Sequence, residues 1–236
     1  MFLLSLLLLL ILQQAASMIG GRFANSLGFA ANDPANPFCW ITVHHIVQLA
    51  AGLVVLWILW KNRQLRFHLR PRTSKLGNLY LFIFTAIVIL LTAVGYHLMY
   101  ASSADIPYPY ELNAGNIIGV LAFQLLLSGP SEEIIFRALP ITVLCAAYHG
   151  RHQRTGQWAA ILAAAILFSV GHISWYTHPF RLSFSWFQLG YCFLYGVVYG
   201  IVYLQTDSII YPMAMHSVSN LIMVGMGYLY RIVLPW

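Results

Sequence analysis

Long apolar stretches separated by short polar segments make up most of this chain. An α-helix needs about 20 largely apolar residues to cross a hydrocarbon layer about 30 Å thick. The stretches that approach or exceed this length cover residues 2–19, 38–60, 76–100, 114–148, 157–174, 185–204 and 208–230. The pattern therefore predicts an all-α fold, a polytopic membrane bundle of about seven to eight transmembrane helices.

The fourth stretch, residues 114–148, is too long for one straight crossing and contains Gly129-Pro130 near its middle. Proline suits the first turn of a helix and disrupts a helix interior. Ser128 and Ser131 flank this step, and either hydroxyl is able to cap a new helix. We therefore predict a broken helix that restarts beside Pro130.

Composition supports a single integral-membrane domain over residues 1–236. The chain is 60% hydrophobic and 8% charged, whereas about a quarter of the residues in soluble domains are charged. Three cysteines, Cys39, Cys145 and Cys192, are widely spaced and form no CxxC motif, which favours neither a disulfide framework nor a zinc ribbon. Within the domain we expect N-terminal spans in residues 1–100 and a motif-bearing core at about 114–230.

The net charge of +6 is concentrated in loops at 61–75 and 149–157. Such basic loops are typical of the cytoplasmic side of a membrane protein, so nucleic-acid binding is not needed to explain them. We predict a multi-pass protein of the cell membrane, with the N-terminus and both basic loops in the cytoplasm. The first span resembles a signal sequence, but it lacks a positive leading region, so we expect a retained anchor.

Glu132 and Glu133 stand side by side in the apolar fourth stretch, where Arg137 is the nearest other charge. A carboxylate at bilayer depth costs about 2.5–3.5 kcal/mol on the lenient insertion scale, and such residues are usually functional. Glu133 and Arg137 have the i, i+4 spacing of a helical ion pair. Glu132 is rotated by about 100° and is left relatively free, which suits a general base. The alternative is a buried ion network without chemistry.

Further polar groups occur in the last spans. Phe168 and His172 share one helix face, and so do His216 and Asn220, because each pair is spaced i, i+4. Counted from the loop at 149–157, Glu132 and His172 lie at similar depths, roughly 22–26 Å at 1.5 Å per residue, whereas His216 lies roughly 14 Å from the turn before the last span, a looser match. These spacings predict one common site.

Another pair of histidines, His44-His45, lies in the second span. Adjacent residues point to different faces of a helix, so they cannot act as a ligand pair on one face. We interpret them as helix-packing or interfacial residues.

The ordered motifs EExxxR, FxxxH and HxxxN in three apolar spans resemble the CPBP family. This family comprises the type II CAAX prenyl endopeptidases and bacterial bacteriocin-processing relatives, also called Abi. The matching residues are Glu132, Glu133, Arg137, Phe168, His172, His216 and Asn220. The first three spans carry no motif of the family.

The resemblance implies an intramembrane endopeptidase that acts through a glutamate, without a metal or another cofactor. Glu132 and His172 would activate the attacking water, and His216 and Asn220 would line an oxyanion hole. The other three motif residues would support this first layer. The implied partners are the lipid bilayer and a membrane-associated or lipidated peptide, whereas the oligomeric state stays open.

Three other functions are compatible with the residues. Glutamate and histidines are legitimate zinc ligands, so a zinc-dependent intramembrane metalloprotease is an alternative, although no HExxH motif is present. A proton-linked carrier would also place such residues in broken helices. A non-catalytic membrane binding or immunity protein is the third alternative.

Overall fold

The structure is a computed structural model that describes residues 1–31, 33, 35–102, 111–148, 153–177 and 180–233. Helices dominate this part of the chain, so the predicted all-α class is confirmed, whereas the predicted number of about seven to eight membrane spans stays a prediction. The helices are α1 (Phe2–Ser26), α2 (Pro37–Arg63), α3 (Lys75–Ala101), α4 (Ala114–Phe123), α5 (Gly129–Glu133), α6 (Leu139–Ala147), α7 (Gln153–Gly171), α8 (Trp186–Thr206) and α9 (Ile210–Val233). A small antiparallel hairpin of β1 (Ser174–Thr177) and β2 (Phe180–Ser183) connects α7 to α8.

Among the described residues, five helical stretches are long and apolar enough to cross a membrane. They are α1, α2, α3, Ala114–Ala147 and α8. The predicted spans at 157–174 and 208–230 are also helical, as α7 and α9. Polar residues in the first turns of α7 and on the buried face of α9 lower the mean hydropathy of these two helices. Their membrane crossing stays a prediction. Part of the predicted 149–157 loop lies outside the described residues, and from Gln153 onward it is the first turn of α7.

The predicted break at Gly129-Pro130 is wrong, because the helix is continuous over Ala114–Ala147. We call this stretch the motif helix. Its three α segments are joined by wider π-helical turns at Gln124–Ser128 and Ile134–Ala138. Pro130 and Pro140 each follow such a turn closely. A π turn gives the proline ring the room that a regular α-helix lacks, so the helix continues.

The motif helix lies within the bundle and contacts α1, α2, α7, α8 and α9. Close approach to α9 depends on Gly129, where an added Cβ would lie 2.4 Å from the Met213 carbonyl oxygen. Gly196 allows α8 to approach α7 in the same way, because a Cβ added at Gly196 would lie only 3.0 Å from Ala165. Small residues at such contacts allow membrane helices to pack closely. This packing brings the motif residues of three separate helices together.

Candidate active site

Glu133 and Arg137 form the buried base of the site. Both side chains are 0% exposed, and Arg137 Nε lies 3.3 Å from Glu133 Oε2. The predicted i, i+4 ion pair is therefore confirmed. The guanidinium carbon also lies 4.1 Å from the centre of the Phe168 ring and 5.4 Å from that of Tyr199. Arg137 thus connects the motif helix to α7 and α8.

His216 of α9 lies between the two glutamates. Its Nδ1 is 2.7 Å from Glu133 Oε1, and its Nε2 is 3.7 Å from Glu132 Oε2. The imidazole stacks on Tyr199, with an angle of 22° between the rings. The Tyr199 hydroxyl is in turn hydrogen-bonded to Ser219. The ring of His216 is thus fixed on both its face and its edge.

Glu132 is turned away from Arg137, as predicted, but it is not free of partners. Its Oε1 lies 3.0 Å from Nε2 of His45, which is on α2. The expectation that Glu132 lacks compensation is therefore corrected: two histidines from other helices face its carboxyl group. Its side chain is 14% exposed, whereas that of Glu133 is fully buried. Glu132 is consequently the acid that can be reached from outside.

His45 is buried and packs against the Phe123 ring, as expected of a helix-packing residue, but it also contacts Glu132, which the sequence did not indicate. Its Nδ1 lies 2.9 Å from the Ile41 carbonyl oxygen. Since a carbonyl only accepts, Nδ1 carries a hydrogen, and Nε2 of the neutral ring is an acceptor. A carboxylate is also only an acceptor. A hydrogen bond between His45 Nε2 and Glu132 Oε1 therefore requires a proton on one of these two atoms.

His172 follows the end of α7 and is oriented by the backbone. Its Nδ1 donates to the Phe168 carbonyl oxygen at 2.8 Å, which leaves Nε2 of the neutral ring as a proton acceptor. The Phe168 ring contacts His172 edge to face and also lies 5.6 Å from the His216 ring. The i, i+4 interpretation of Phe168 and His172 thus agrees with the structure.

Asn220 lies one turn beyond His216 on α9, and its amide nitrogen donates to Ser128 Oγ at 2.8 Å. An amide has two N–H donors, so a second one remains. His216 and Asn220 do not meet at the same surface: Asn220 borders the cavity described below, whereas His216 lies behind Glu132.

A cavity of about 550 Å³ contains the accessible face of these groups. Its polar lining includes His45, Gln124, Ser128, Glu132, His172 and Asn220. The structure thus brings together Glu132, His172 and Asn220, as the motifs predicted. Near the cavity lie the beginning of α2, the end of α3, the beginning of α8 and the second half of α9. The basic loop at 61–75 is at the opposite ends of these helices.

Within the described residues, no group of three or more His, Cys, Asp or Glu side chains is arranged to hold a metal ion. The ligands that a zinc enzyme would take from this chain are Glu132 and the histidines. Two of these histidines, His45 and His216, already face carboxylate oxygens. The metal-free mechanism stays a prediction for experiment.

Comparison with known proteins gives a match to the part of the chain that carries the motifs. The sequence model of the family described as type II CAAX prenyl endopeptidase Rce1-like matches residues 114–222. All seven residues of the three motifs lie inside this segment, and His45 lies outside it. No curated protein and no solved structure matches the chain. Residues 114–222, somewhat less than half of the chain, are therefore similar to the Rce1-like family of type II CAAX prenyl endopeptidases.

Proposed function

We propose that this chain is an intramembrane endopeptidase that hydrolyses membrane-associated or lipidated peptides through a water molecule activated by Glu132, without a metal. The observation that carries the proposal is the unequal placement of two adjacent acids. Glu133 is sealed in an ion pair, whereas Glu132 faces the cavity. Two carboxyl groups in such different surroundings suit different roles. The test is loss of cleavage in a Glu132→Gln protein that still folds.

The proposed reaction begins with water bound between Glu132 and His172. As the water oxygen forms a bond to the scissile carbonyl carbon, its proton passes to this pair, and the carbonyl becomes an oxyanion. Collapse of the tetrahedral intermediate breaks the C–N bond, and the same proton moves to the leaving nitrogen. The hydrogen bond from His172 Nδ1 leaves Nε2 as a proton acceptor, and this supports His172 as part of the base, because a base must present a lone pair to the water.

In this scheme, Asn220 stabilises the oxyanion with the N–H that does not bind Ser128. The Asn220→Ala protein is expected to lose about 10²–10³-fold in kcat with little change in KM, since the donor acts mainly in the transition state. Steady-state cleavage of one peptide measures this. The control is Ser128→Ala, which keeps both amide donors and should be affected less. Equal losses in both variants would assign Asn220 a packing role instead.

His45 is proposed as a positioning residue that holds Glu132 and shares its proton. The His45→Phe protein should lose about 10²-fold in kcat, because a misplaced catalytic group is costly even over 1 Å. His45→Gln should retain more activity, since an amide N–H is able to donate to the carboxylate. The matched control is His44→Gln, because His44 is buried beside it but stacks on Trp40. A loss in KM alone, or equal loss at both histidines, would contradict this role.

The cavity and the basic loop lie at opposite ends of the bundle, which supports a proposal for the side of the membrane on which the reaction occurs. If the basic loop is cytoplasmic, the substrate reaches Glu132 from the other side. A Gln188→Cys protein, with the natural cysteines replaced, should react with a membrane-impermeant thiol reagent in intact cells. Arg70→Cys should react only after the membrane is opened. The reverse labelling pattern would place the cavity on the cytoplasmic side.

A further inference from the structure

A second cavity, of about 860 Å³, lies beside the basic loop and has no part in the proposed reaction. One wall comes from the end of α2, with Leu53, Trp57 and Trp60. The other walls come from the segment between α2 and α3 and from the turn between α8 and α9. These remaining lining residues include Arg66, His68, Arg70, Arg72 and Asp207.

The segment that carries the arginines is anchored to the bundle. The backbone N–H of Ile209 donates to the His68 carbonyl oxygen at 3.1 Å, and the Tyr203 hydroxyl donates to that of Phe67 at 3.0 Å. The Phe67 side chain is itself buried. His68 adopts a left-handed backbone with φ of 45°. A non-glycine residue keeps this unfavourable conformation only where its surroundings impose it. The segment that lines the cavity is therefore held in a defined conformation by the rest of the protein.

The charge of this cavity is strongly positive. Arg66, Arg70 and Arg72 have exposed side chains, and none forms an ion pair with an acid among the described residues. The carboxylate in the lining, that of Asp207, lies 3.7 Å from His68 Nδ1. Three guanidinium groups are thus available to an anion, and guanidinium groups bind phosphate with paired, parallel hydrogen bonds.

The apolar wall indicates what kind of anion fits. Trp57 and Trp60 are 56% and 59% exposed. They continue the outward apolar face of α2, a helix with the length and composition of a membrane span. A free phosphate would leave this wall uncovered, whereas a lipid would place its acyl chain along it. Arginine and tryptophan at the end of a membrane span are also typical of the headgroup region.

We propose that this groove binds an anionic phospholipid, with its phosphate on the arginines and its acyl chain along Trp57 and Trp60. The full-length protein in phosphatidylcholine nanodiscs would be given increasing amounts of phosphatidylglycerol with brominated acyl chains. Bromine quenches tryptophan fluorescence on contact. The part of the fluorescence quenching that is lost in a Trp57→Phe/Trp60→Phe protein is assigned to lipid in the groove.

Two triple variants distinguish lipid binding at a specific site from general electrostatic attraction between the basic loop and anionic lipids. One removes the charges that line the groove, as Arg66→Gln/Arg70→Gln/Arg72→Gln. The other removes three basic residues that do not line it, as Arg63→Gln/Lys75→Gln/Arg154→Gln. Lys61 is kept in both variants, because its Nζ lies 5.3 Å from the centre of the Trp57 ring. The first should weaken quenching by phosphatidylglycerol about tenfold or more, because each basic residue near the surface contributes to anionic lipid binding. The second should leave the quenching largely unchanged.

Three results would overturn the proposal. Equal weakening in both triple variants would mean diffuse attraction, and equal quenching by brominated phosphatidylcholine would mean no selection of the headgroup. Efficient competition by inorganic phosphate would indicate a site for soluble anions. The measurement requires no cleavage, so Glu132→Gln should bind the lipid like the wild type. A result against lipid binding in the groove can therefore be distinguished from a result against the proposed protease activity.

Discussion

The Glu132→Gln protein is expected to bind its peptide substrate and to cleave it about 10²–10⁴-fold more slowly than the wild type. Glutamine keeps the size of the side chain and is able to form a hydrogen bond with His45, but it cannot accept the proton of the water. General base catalysis contributes rate factors of this size. The loss should appear in kcat, because KM reports mainly the contacts of the remaining peptide.

A matched control for this substitution is Glu111→Gln, which makes the same chemical change at an exposed position before the motif helix. It should retain wild-type kcat and KM. Size-exclusion profiles and thermal unfolding in detergent should be alike for all three proteins. A Glu132→Gln protein that cleaves peptide at the wild-type rate would rule out Glu132 as the base.

The second large effect is expected on stability. The Arg137→Met protein should lose about 3–5 kcal/mol of unfolding free energy, because the change leaves the Glu133 carboxylate buried without its cation. Both side chains are fully buried. Arg137 also covers the Phe168 ring, so some packing is lost as well. Denaturant unfolding in mixed micelles, followed by tryptophan fluorescence, measures the change.

A double variant tests the reason for that loss. Glu133→Gln/Arg137→Met replaces both charges by neutral side chains of similar size, so it should recover much of the stability that Arg137→Met loses. The coupling energy from the two single variants and the double variant isolates the pair. If the double variant is no more stable than Arg137→Met, the loss comes from packing against Phe168 and not from an uncompensated charge.

Local relationships along single helices could be predicted from the sequence. Glu133 and Arg137 follow from a four-residue spacing that places both on one helix face, and the structure shows the pair in contact. Phe168 and His172 follow in the same way. Of the seven apolar stretches predicted as spans, five correspond to helices long and apolar enough to cross a membrane, because this property depends only on composition over about 20 residues.

Contacts between helices could not be predicted in the same way. His45 and Glu132 are 87 residues apart, and no periodicity in either helix relates them. The available signal was that a histidine within an apolar span is a candidate for function; treating His44 and His45 as one pair obscured it. His216 was predicted beside Asn220 at an oxyanion, but stacking on Tyr199 and bonding to Glu133 place its ring behind Glu132.

The continuity of the motif helix also could not be predicted from the sequence. Gly129-Pro130 is typical of a helix boundary, and the rule failed because a π turn precedes Pro130. Whether a helix breaks or widens at proline depends on the neighbours that hold it. Here α9 packs against Gly129 closely enough that a Cβ would not fit. The continuous helix keeps Glu132 and Glu133 in their fixed relation to Arg137.

Glu132 is proposed to activate the attacking water without a metal. The most direct test of this mechanism measures cleavage of a panel of membrane-anchored and lipidated peptides by detergent-purified wild type and Glu132→Gln, each with and without a chelator. We expect cleavage by the wild type to resist the chelator and to be lost in Glu132→Gln. Cleavage that the chelator abolishes and zinc restores would contradict the claim and assign the same residues to a metal site.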